Sequence, residues 1–218
     1  MGQMLVVMLE GTIVSLKVFF LTLLFSLPLG LIICAGRMSK ITIIRLPVHF
    51  FMLIIRGTPL MLQLFFVYFA PYHISKRINP DFTVHIDRFI AVIVAFSINY
   101  AAYFAEIYRG GIASIPQGQY EAAKMLGFTK IQTFFIIILP QVIKRILPAT
   151  ANEVITLVKD TSLAQVIGVA ELFRVAYTQA NTQVTIMPIF VAGVFYFVMN
   201  WVVNEVFLKF EKRLSYYK

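Results

Sequence analysis

Five long, mainly apolar stretches dominate the sequence, and each is long enough to cross a lipid bilayer. They cover roughly residues 11–36, 48–70, 88–108, 148–170 and 185–208. A helix rises ~1.5 Å per residue, so about 20 apolar residues cross the ~30 Å hydrocarbon core. Hydrophobic residues make up 60% of the chain and charged residues only 13%, which leaves too little polar surface for a soluble fold of this length. The sequence therefore predicts an all-α integral membrane protein, with five transmembrane helices in a single domain over residues 1–218.

The placement of Lys and Arg predicts which helix ends face the cytoplasm. With the N-terminus outside, twelve basic residues fall in the inner segments and four in the outer segments. The inner set is Arg37, Lys40, Arg45, Arg109, Lys124, Lys130, Lys144, Arg145, Lys209, Lys212, Arg213 and Lys218. Cytoplasmic segments carry an excess of Lys and Arg, so we expect the N-terminus outside and the C-terminus inside. The same placement argues against a nucleic-acid partner for the net charge of +9.

The longest connection between spans, about residues 110–147, is expected in the cytoplasm and is predicted to contain two short helices. The first begins after Pro116 and stops near Gly127. The second runs from Thr129 to Leu139 and is expected to end at Pro140, because proline cannot continue a helix without loss. Taken alone, this segment could also be an amphipathic helix lying along the inner leaflet.

The spacing of residues within this connection distinguishes it from a passive loop. Glu121, Ala122 and Ala123 are followed after three residues by Gly127. Nine residues separate Gly127 from Ile137, and one residue separates Ile137 from Leu139-Pro140. This E-A-A-x3-G-x9-I-x-L-P pattern resembles the signature of permeases of the ATP-binding-cassette importers. The resemblance implies that Glu121, Ala122, Ala123 and Gly127 belong to a coupling helix that docks on a separate ATPase subunit.

Further motifs make the chain similar to the polar amino-acid permeases, in the neighbourhood of the glutamine, arginine, histidine and cystine importers. They are Arg56-Gly57-Thr58-Pro59, Ala105-Glu106, Arg109-Gly110-Gly111-Ile112, Asn152-Glu153 and Lys159-Asp160. The resemblance implies a type I importer permease that crosses the bacterial cytoplasmic membrane several times. It also implies a second permease copy, most simply a homodimer, an ATPase subunit pair that binds ATP and Mg, and an extracytoplasmic amino-acid-binding protein.

Three ionisable residues within eight positions mark the fourth predicted span. Glu153 and Asp160 are seven residues apart, so both carboxylates project from one helix face, while Lys159 is rotated by about 100°. Ionisable groups inside a membrane are functional candidates by default, and two carboxylates on one face suit an ammonium or guanidinium ligand. Asp160 could instead neutralise Lys159 or Arg56. Polar side chains that could also contact a substrate are Thr58, Gln63, Thr161 and Ser162.

Arg56 is expected near the middle of the second span, where a charge costs a few kcal/mol on insertion scales. Gly57 and Pro59 follow it and weaken the helix, since proline removes a backbone donor. Broken helices are tolerated in membranes where the freed backbone groups line a cavity. We therefore expect Arg56 on a substrate pathway, or alternatively paired with a carboxylate that holds two helices together.

Glu106 and Arg109 are three residues apart near the end of the third span, a spacing that allows a salt bridge. We interpret them as structural residues or as part of a gate, and we assign Lys159 to the same class. Gly110-Gly111 is predicted to provide a flexible hinge into the following connection.

The motifs of catalysis and metal binding are missing from the sequence. No G-x-x-x-x-G-K-[ST] phosphate loop occurs, so ATP hydrolysis is assigned to a partner subunit, with no cofactor in this chain. His49, His73 and His85 have no metal-ligand spacing, and neither a metal site nor a catalytic residue is predicted. The alternative to an importer permease is a secondary transporter or channel in which Glu153, Lys159 and Asp160 relay protons or gate ions.

Overall fold

The computed structural model describes residues 2–214, with side chains from Met4 onward. Lys218, one of the basic residues used to predict the orientation, lies outside the described residues. Nine α-helices are numbered in chain order over the described part: α1 Gly2–Arg37, α2 Thr42–Gly57, α3 Leu60–Ile78, α4 Arg88–Ala113, α5 Gln117–Met125, α6 Lys130–Gln132, α7 Leu139–Asp160, α8 Leu172–Gln183 and α9 Met187–Leu214. A π-helix, Thr133–Ile138, joins α6 to α7, and a 3₁₀-helix, Thr161–Ile167, follows α7.

The membrane-spanning helices agree with the predicted all-α fold. Four helical segments of the described chain are long and apolar enough to cross a bilayer: Met4–Arg37, Arg88–Ala113, Lys130–Ile167 and Met187–Leu214. The bent pair α2 and α3 brings the number to five if it counts as one span. The expectation of an all-α membrane protein is therefore confirmed, and the expected five spans are present if the bent pair counts as one.

The second predicted span, residues 48–70, is not one straight helix. α2 and α3 meet at an angle of 108°, and Thr58 between them is extended, with φ −121° and ψ 146°. Pro59 is the cause, because its ring disfavours the helical conformation of the preceding residue. α3 starts immediately after it, at Leu60.

Gly110 and Gly111 do not form a hinge, which corrects the prediction for this pair. Both lie inside α4, which continues to Ala113. A Cβ atom on Gly111 would clash with Cγ2 of Ile146 and would lie 3.2 Å from Cγ1 of Val142. Gly111 is therefore required for the close contact between α4 and α7. As a result, the connection predicted over 110–147 shrinks to the segment between Ala113 and Lys130.

Pro140 does not end a helix, contrary to the prediction for the second helix of this connection. Helical structure runs without interruption from Lys130 to Ile167. The π-helix directly precedes Leu139 and Pro140, and its wider turn gives room for a proline ring that would clash with a regular turn. The side chain of Gln141 donates to the Ile137 carbonyl at 2.8 Å, which satisfies a backbone acceptor next to the proline.

α4 occupies the centre of the molecule. Phe96, Tyr100 and Phe104 on this helix are almost fully buried, and α1 packs along its length. A Cβ atom on Gly30 of α1 would lie 3.0 Å from Cβ of Phe104, so the two helices approach closely there. Such small-residue contacts are typical of helix pairs in membranes. The other helices are arranged around this pair.

Candidate functional site

Two polar residues at the middle of α4 connect three helices. The Tyr100 hydroxyl donates a hydrogen bond of 2.7 Å to Oδ2 of Asp160 at the end of α7. The Asn99 side-chain amide donates at 3.0 Å to Oε1 of Gln63 on α3. Neither Asn99 nor Tyr100 was predicted from the sequence. They interrupt an apolar run at its centre, and this pattern could have identified them.

Gln63 ties this polar group to the break between α2 and α3. Its Nε2 atom donates to the Ile55 carbonyl at 2.7 Å, to the Thr58 carbonyl at 3.1 Å and to Thr58 Oγ1 at 2.9 Å. The Thr58 hydroxyl donates in turn to the Ile54 carbonyl at 2.8 Å. Backbone groups freed by the break are thus satisfied by a side chain, and Thr58 and Gln63 join the same network as Asn99.

The carboxylates of α7 lie along one side of the helix and have no basic partner in contact among the described residues. Glu153 is half-buried and lies within electrostatic range of both Asp160 and Arg56. Asp160 takes its hydrogen bond from Tyr100 and forms no ion pair with any described residue. Lys159 is exposed and, although it is next to Asp160 in the chain, does not form a salt bridge with it. Two acidic groups are therefore held in the bundle without neutralisation by contact.

Thr161 and Ser162 use their hydroxyls to finish α7 in the structure. Thr161 Oγ1 donates to the Val158 carbonyl at 2.8 Å, and Ser162 Oγ donates to the Lys159 carbonyl at 2.7 Å. These bonds satisfy carbonyl groups where the α-helix changes into the 3₁₀-helix. Both residues adjoin Asp160, with their donors already engaged by the backbone.

Arg56 lies near the end of the bundle and not at the middle of a span, which corrects the sequence expectation. Its Nη1 atom is 3.8 Å from Oε2 of Glu106, which lies near the end of α4. It also shares a cavity with Arg37, the last residue of α1. Arg56 lies beside Glu106 because α2 ends at Gly57, directly before the 108° bend.

Glu106 is shared by two guanidinium groups. Arg109 donates two hydrogen bonds to this carboxylate, from Nη2 to Oε1 at 2.5 Å and from Nε to Oε2 at 3.1 Å. The Arg56 guanidinium also lies over the ring of Tyr103, 5.5 Å from its centroid. The predicted i, i+3 salt bridge between Glu106 and Arg109 is therefore present. Arg56 pairs with the same carboxylate, which agrees with the alternative expectation that Arg56 joins two helices through an acidic residue.

α5 carries the E-A-A residues on the outside of the bundle. Glu121 and Ala122 are exposed, whereas Ala123 is 1% exposed and faces the protein. Gly127 ends the helix with φ +79°. The Phe128 N–H donates to the Ala123 carbonyl and the Gly127 N–H to the Lys124 carbonyl, the hydrogen-bond pattern of a Schellman cap. This turn requires a left-handed backbone, which glycine adopts without strain.

Apolar side chains surround this cap on its outer side. Met125 is 89% exposed, Leu126 75% and Ile131 72%. On the inner side, α5 contacts the π-helix, in which Ile138 is fully buried. Exposed apolar side chains close together are typical of interaction sites. The side chains thus form a protruding apolar surface, which we call the coupling surface and define as Met125, Leu126 and Ile131.

Polar contacts connect α5 and the segment before it to α7. Arg145 on α7 donates to the Ser114 carbonyl and, at 3.1 Å, to the Ser114 hydroxyl at the end of α4. Gln141 donates to the Gln119 side chain at 3.3 Å. α5 is therefore hydrogen-bonded to α7, and α7 is hydrogen-bonded to the end of α4; these two helices carry Asp160 and Tyr100.

Glu171 is a buried acidic residue that was not predicted from the sequence. It caps the N-terminus of α8, a helix in a segment expected to be an external loop. Its carboxylate accepts from the backbone N–H groups of Phe173 and Arg174 at 2.7 Å each and from the Tyr196 hydroxyl at 2.9 Å. Burial raises the pKa of Glu171, and these hydrogen bonds partly oppose that rise. No group of three or more possible metal ligands occurs in the described part of the chain.

Several transport permeases are similar to this chain in sequence, and a solved transporter is similar to it in structure. The L-cystine transport system permease protein TcyB of Bacillus subtilis is 37% identical over 209 residues, covering 95% of this chain and 86% of the relative. The arginine transport system permease protein ArtQ of Bacillus subtilis is 35% identical over 208 residues, covering 95% and 92%. A solved amino acid ABC transporter with histidines superposes with a TM-score of 0.88 at 34% identity, covering 98% and 96% of the two chains.

A more distant structure shares the fold alone. The MetNI methionine ABC transporter superposes with a TM-score of 0.75 at 18% identity. The family model described as a binding-protein-dependent transport system inner membrane component matches residues 26–216. With its membrane helices, its E-A-A turn and these matches, this chain belongs to the family of binding-protein-dependent transport system inner membrane components.

Proposed function

We propose that this chain is the permease subunit of an ATP-driven importer of polar amino acids in the bacterial cytoplasmic membrane. The observation that carries the proposal is the set of polar groups joined across the bundle at Tyr100, Asp160, Asn99 and Gln63. The substrate class is supported by relatives whose names specify cystine, glutamine and arginine. Polar side chains are costly inside a membrane, so their presence indicates a solute pathway.

The substrate's ammonium or guanidinium group is proposed to bind at Glu153 and Asp160. Neither carboxylate has a cationic partner in contact among the described residues, so a cationic ligand would supply the missing charge. Tyr100 holds Asp160 in place, while Gln63 and Asn99 offer amide groups at the neighbouring helix break. Thr58, Thr161 and Ser162 are proposed to shape the pathway through the backbone, since their hydroxyls bond to carbonyl groups.

Transport energy is proposed to enter through the coupling surface. A separate ATPase pair, which binds ATP and Mg, would press on α5 near Glu121, Ala122 and Gly127. Because α5 is tied to α4 and α7, its displacement would move Tyr100 and Asp160 relative to each other. Glu106, Arg109 and Arg56 are proposed as a gate at the same end of the bundle, where one carboxylate holds α2 to α4.

The remaining assignments concern orientation and assembly. We propose that the N-terminus is outside and the C-terminus inside, which places α5 in the cytoplasm beside the ATPase. An amino-acid-binding protein would deliver substrate from the opposite side. A second copy of this chain is proposed to complete the pathway as a homodimer, and the exposed polar residue Lys159 is then available to the interior between the copies.

Reconstitution tests the proposal against an ion-driven carrier. The tagged chain is purified from its native membrane in mild detergent, and the eluate is assayed for an ATPase stimulated by a polar amino acid and its binding protein. Recovery of such an ATPase supports the importer. Vesicles containing only this chain that move solute down an ion gradient, with no ATPase recovered, would overturn it.

Substitution of Glu153 tests the proposed recognition role. Glu153→Gln keeps the shape of the side chain and removes its charge, so stimulation of the ATPase should fall more for cationic than for neutral amino acids. Glu205→Gln, on α9, is the matched control and should leave both unchanged. An equal loss for both classes of amino acid would mean that Glu153 has a structural role only.

A further inference from the structure

A basic cavity lies between α1, α2 and α4, outside the polar groups at the middle of the bundle. Its volume is about 300 Å³, and its lining includes Arg37, His49, Arg56 and Glu106. Glu106 is the acidic group of this lining, and Arg109 already binds it through two hydrogen bonds. The cavity therefore has an excess of positive charge.

Arg37 contributes most to this excess. It is the last residue of α1, and its charge acts on Glu106 only at a distance. It forms no ion pair with another residue in the described part of the chain. Arg56 reaches Glu106 at 3.8 Å and shares that carboxylate with Arg109. Two guanidinium groups, those of Arg37 and Arg56, thus border a cavity whose carboxylate is already bound by Arg109. Guanidinium groups without a carboxylate of their own attract an anion.

α2 separates this charged cavity from an apolar surface. His49, Met52 and Arg56 have helical spacing and line the cavity. Large apolar side chains cover the opposite side, with Ile43 84% exposed and Phe50 66%. Helices with one basic and one apolar face are typical of the membrane interface. The two faces match the two parts of a phospholipid, which are a phosphate group and acyl chains.

From this arrangement we propose that the cavity binds the phosphodiester headgroup of an anionic phospholipid, with the acyl chains lying against the apolar face of α2. A substrate carboxylate would explain the charge but leave the apolar face uncovered. Anionic headgroups are attracted by basic pockets between helices, by about fivefold in affinity for each Lys or Arg.

Lipid binding to the complete transporter tests this proposal. The complex is delipidated in detergent and titrated with phosphatidylglycerol or phosphatidylcholine, and bound lipid is counted by native mass spectrometry. We expect one phosphatidylglycerol for each copy of this chain to bind more tightly than phosphatidylcholine. Arg37→Gln should weaken phosphatidylglycerol binding about fivefold, whereas Arg37→Lys should retain most of it. Lys40→Gln removes a charge three residues away, outside the cavity lining, and should change nothing.

Three results would overturn the proposal. The first is equal binding of phosphatidylglycerol by the Arg37→Gln variant and the unaltered chain. The second is displacement of the lipid by inorganic phosphate at low millimolar concentration, which would indicate a site for small anions. The third is displacement by the transported amino acid, which would assign the cavity to the transport pathway. Since lipid counting requires neither ATP hydrolysis nor transport, its outcome is independent of the proposed function.

Discussion

Tyr100 and Asp160, 60 positions apart in the chain, share a hydrogen bond of 2.7 Å across the middle of the bundle. The bond joins the centre of α4 to the last residue of α7. Both helices also hold the segment that carries α5, through Ser114 and Arg145. Under the proposed function, a movement of α5 would reach this hydrogen bond through α4 and α7.

Removing the Tyr100 hydroxyl should weaken substrate handling more than folding. Tyr100→Phe keeps the ring in the core and leaves Asp160 without its donor, a loss of about 1.5–3 kcal/mol for a bond to a charged group. We expect KM for amino-acid transport to change about tenfold or more, measured in proteoliposomes. Tyr177→Phe, at an exposed position on α8, is the control. Unchanged KM in the Tyr100 variant would show that this bond only packs the helices.

The left-handed turn at Gly127 should be essential for association with the ATPase. Gly127→Val places a β-branched residue at φ +79°, which costs about 1–2 kcal/mol in backbone strain. A Cβ atom there would meet no other atom within 4 Å, so the effect comes from the backbone alone. Gly127→Asn should retain association, because Asn tolerates this conformation.

Gly118→Ala is the matched control for that experiment. Gly118 also has open space where a methyl group would be added, but its φ is not positive. It lies in the first turn of α5, where Ala is a better helix former than Gly. Co-purification of the ATPase should therefore be normal for Gly118→Ala and reduced for Gly127→Val. Equal recovery with both variants would contradict the role assigned to the turn.

Neighbouring glycines on α4 should respond very differently to substitution. Gly111→Ala introduces a Cβ atom that clashes with the Ile146 side chain, whereas Gly110→Ala meets nothing within 4 Å. We expect the Gly111 variant to lose about 1–3 kcal/mol from overpacking, seen as a lower Tm in detergent, and the Gly110 variant to match the unaltered chain. Combining Gly111→Ala with Ile146→Ala should cost less than the two single changes together. Simple additivity would show that the two residues do not clash.

The buried carboxylate of Glu171 should make stability depend on pH. Its pKa is raised above 4.5 in the folded chain, so the folded state keeps its proton to a higher pH than the unfolded state. The free energy of unfolding should therefore fall as pH rises from 4.5 through the folded pKa. Glu171→Gln imitates the protonated form and should flatten this dependence in thermal melts, while Glu10→Gln, at an exposed position, should not. A pH dependence that survives Glu171→Gln would assign it to another group.

Local sequence patterns predicted four of the helices, α1, α4, α5 and α9. Apolar length predicted α1, α4 and α9, because the cost of unsatisfied backbone in lipid leaves helices as the solution for apolar stretches of this length. The motif around Glu121 predicted α5, and the end of that helix at Gly127 follows from its own backbone hydrogen bonds. The i, i+3 spacing predicted the bond between Glu106 and Arg109. These features depend on residues that are close in the chain.

Contacts between distant residues were decided by the tertiary structure. The partners of Gln63 and Asp160 are Asn99 and Tyr100, 36 and 60 positions away, and hydropathy does not encode which polar residues meet. Packing against Ile146 gave Gly111 a role opposite to the predicted hinge. The bend after Gly57 moved Arg56 from the expected middle of a span to the level of Glu106. The sequence by itself determined the spans and the local caps. The crossing of the helices determined the site, because only packing sets which faces of α3, α4 and α7 come together.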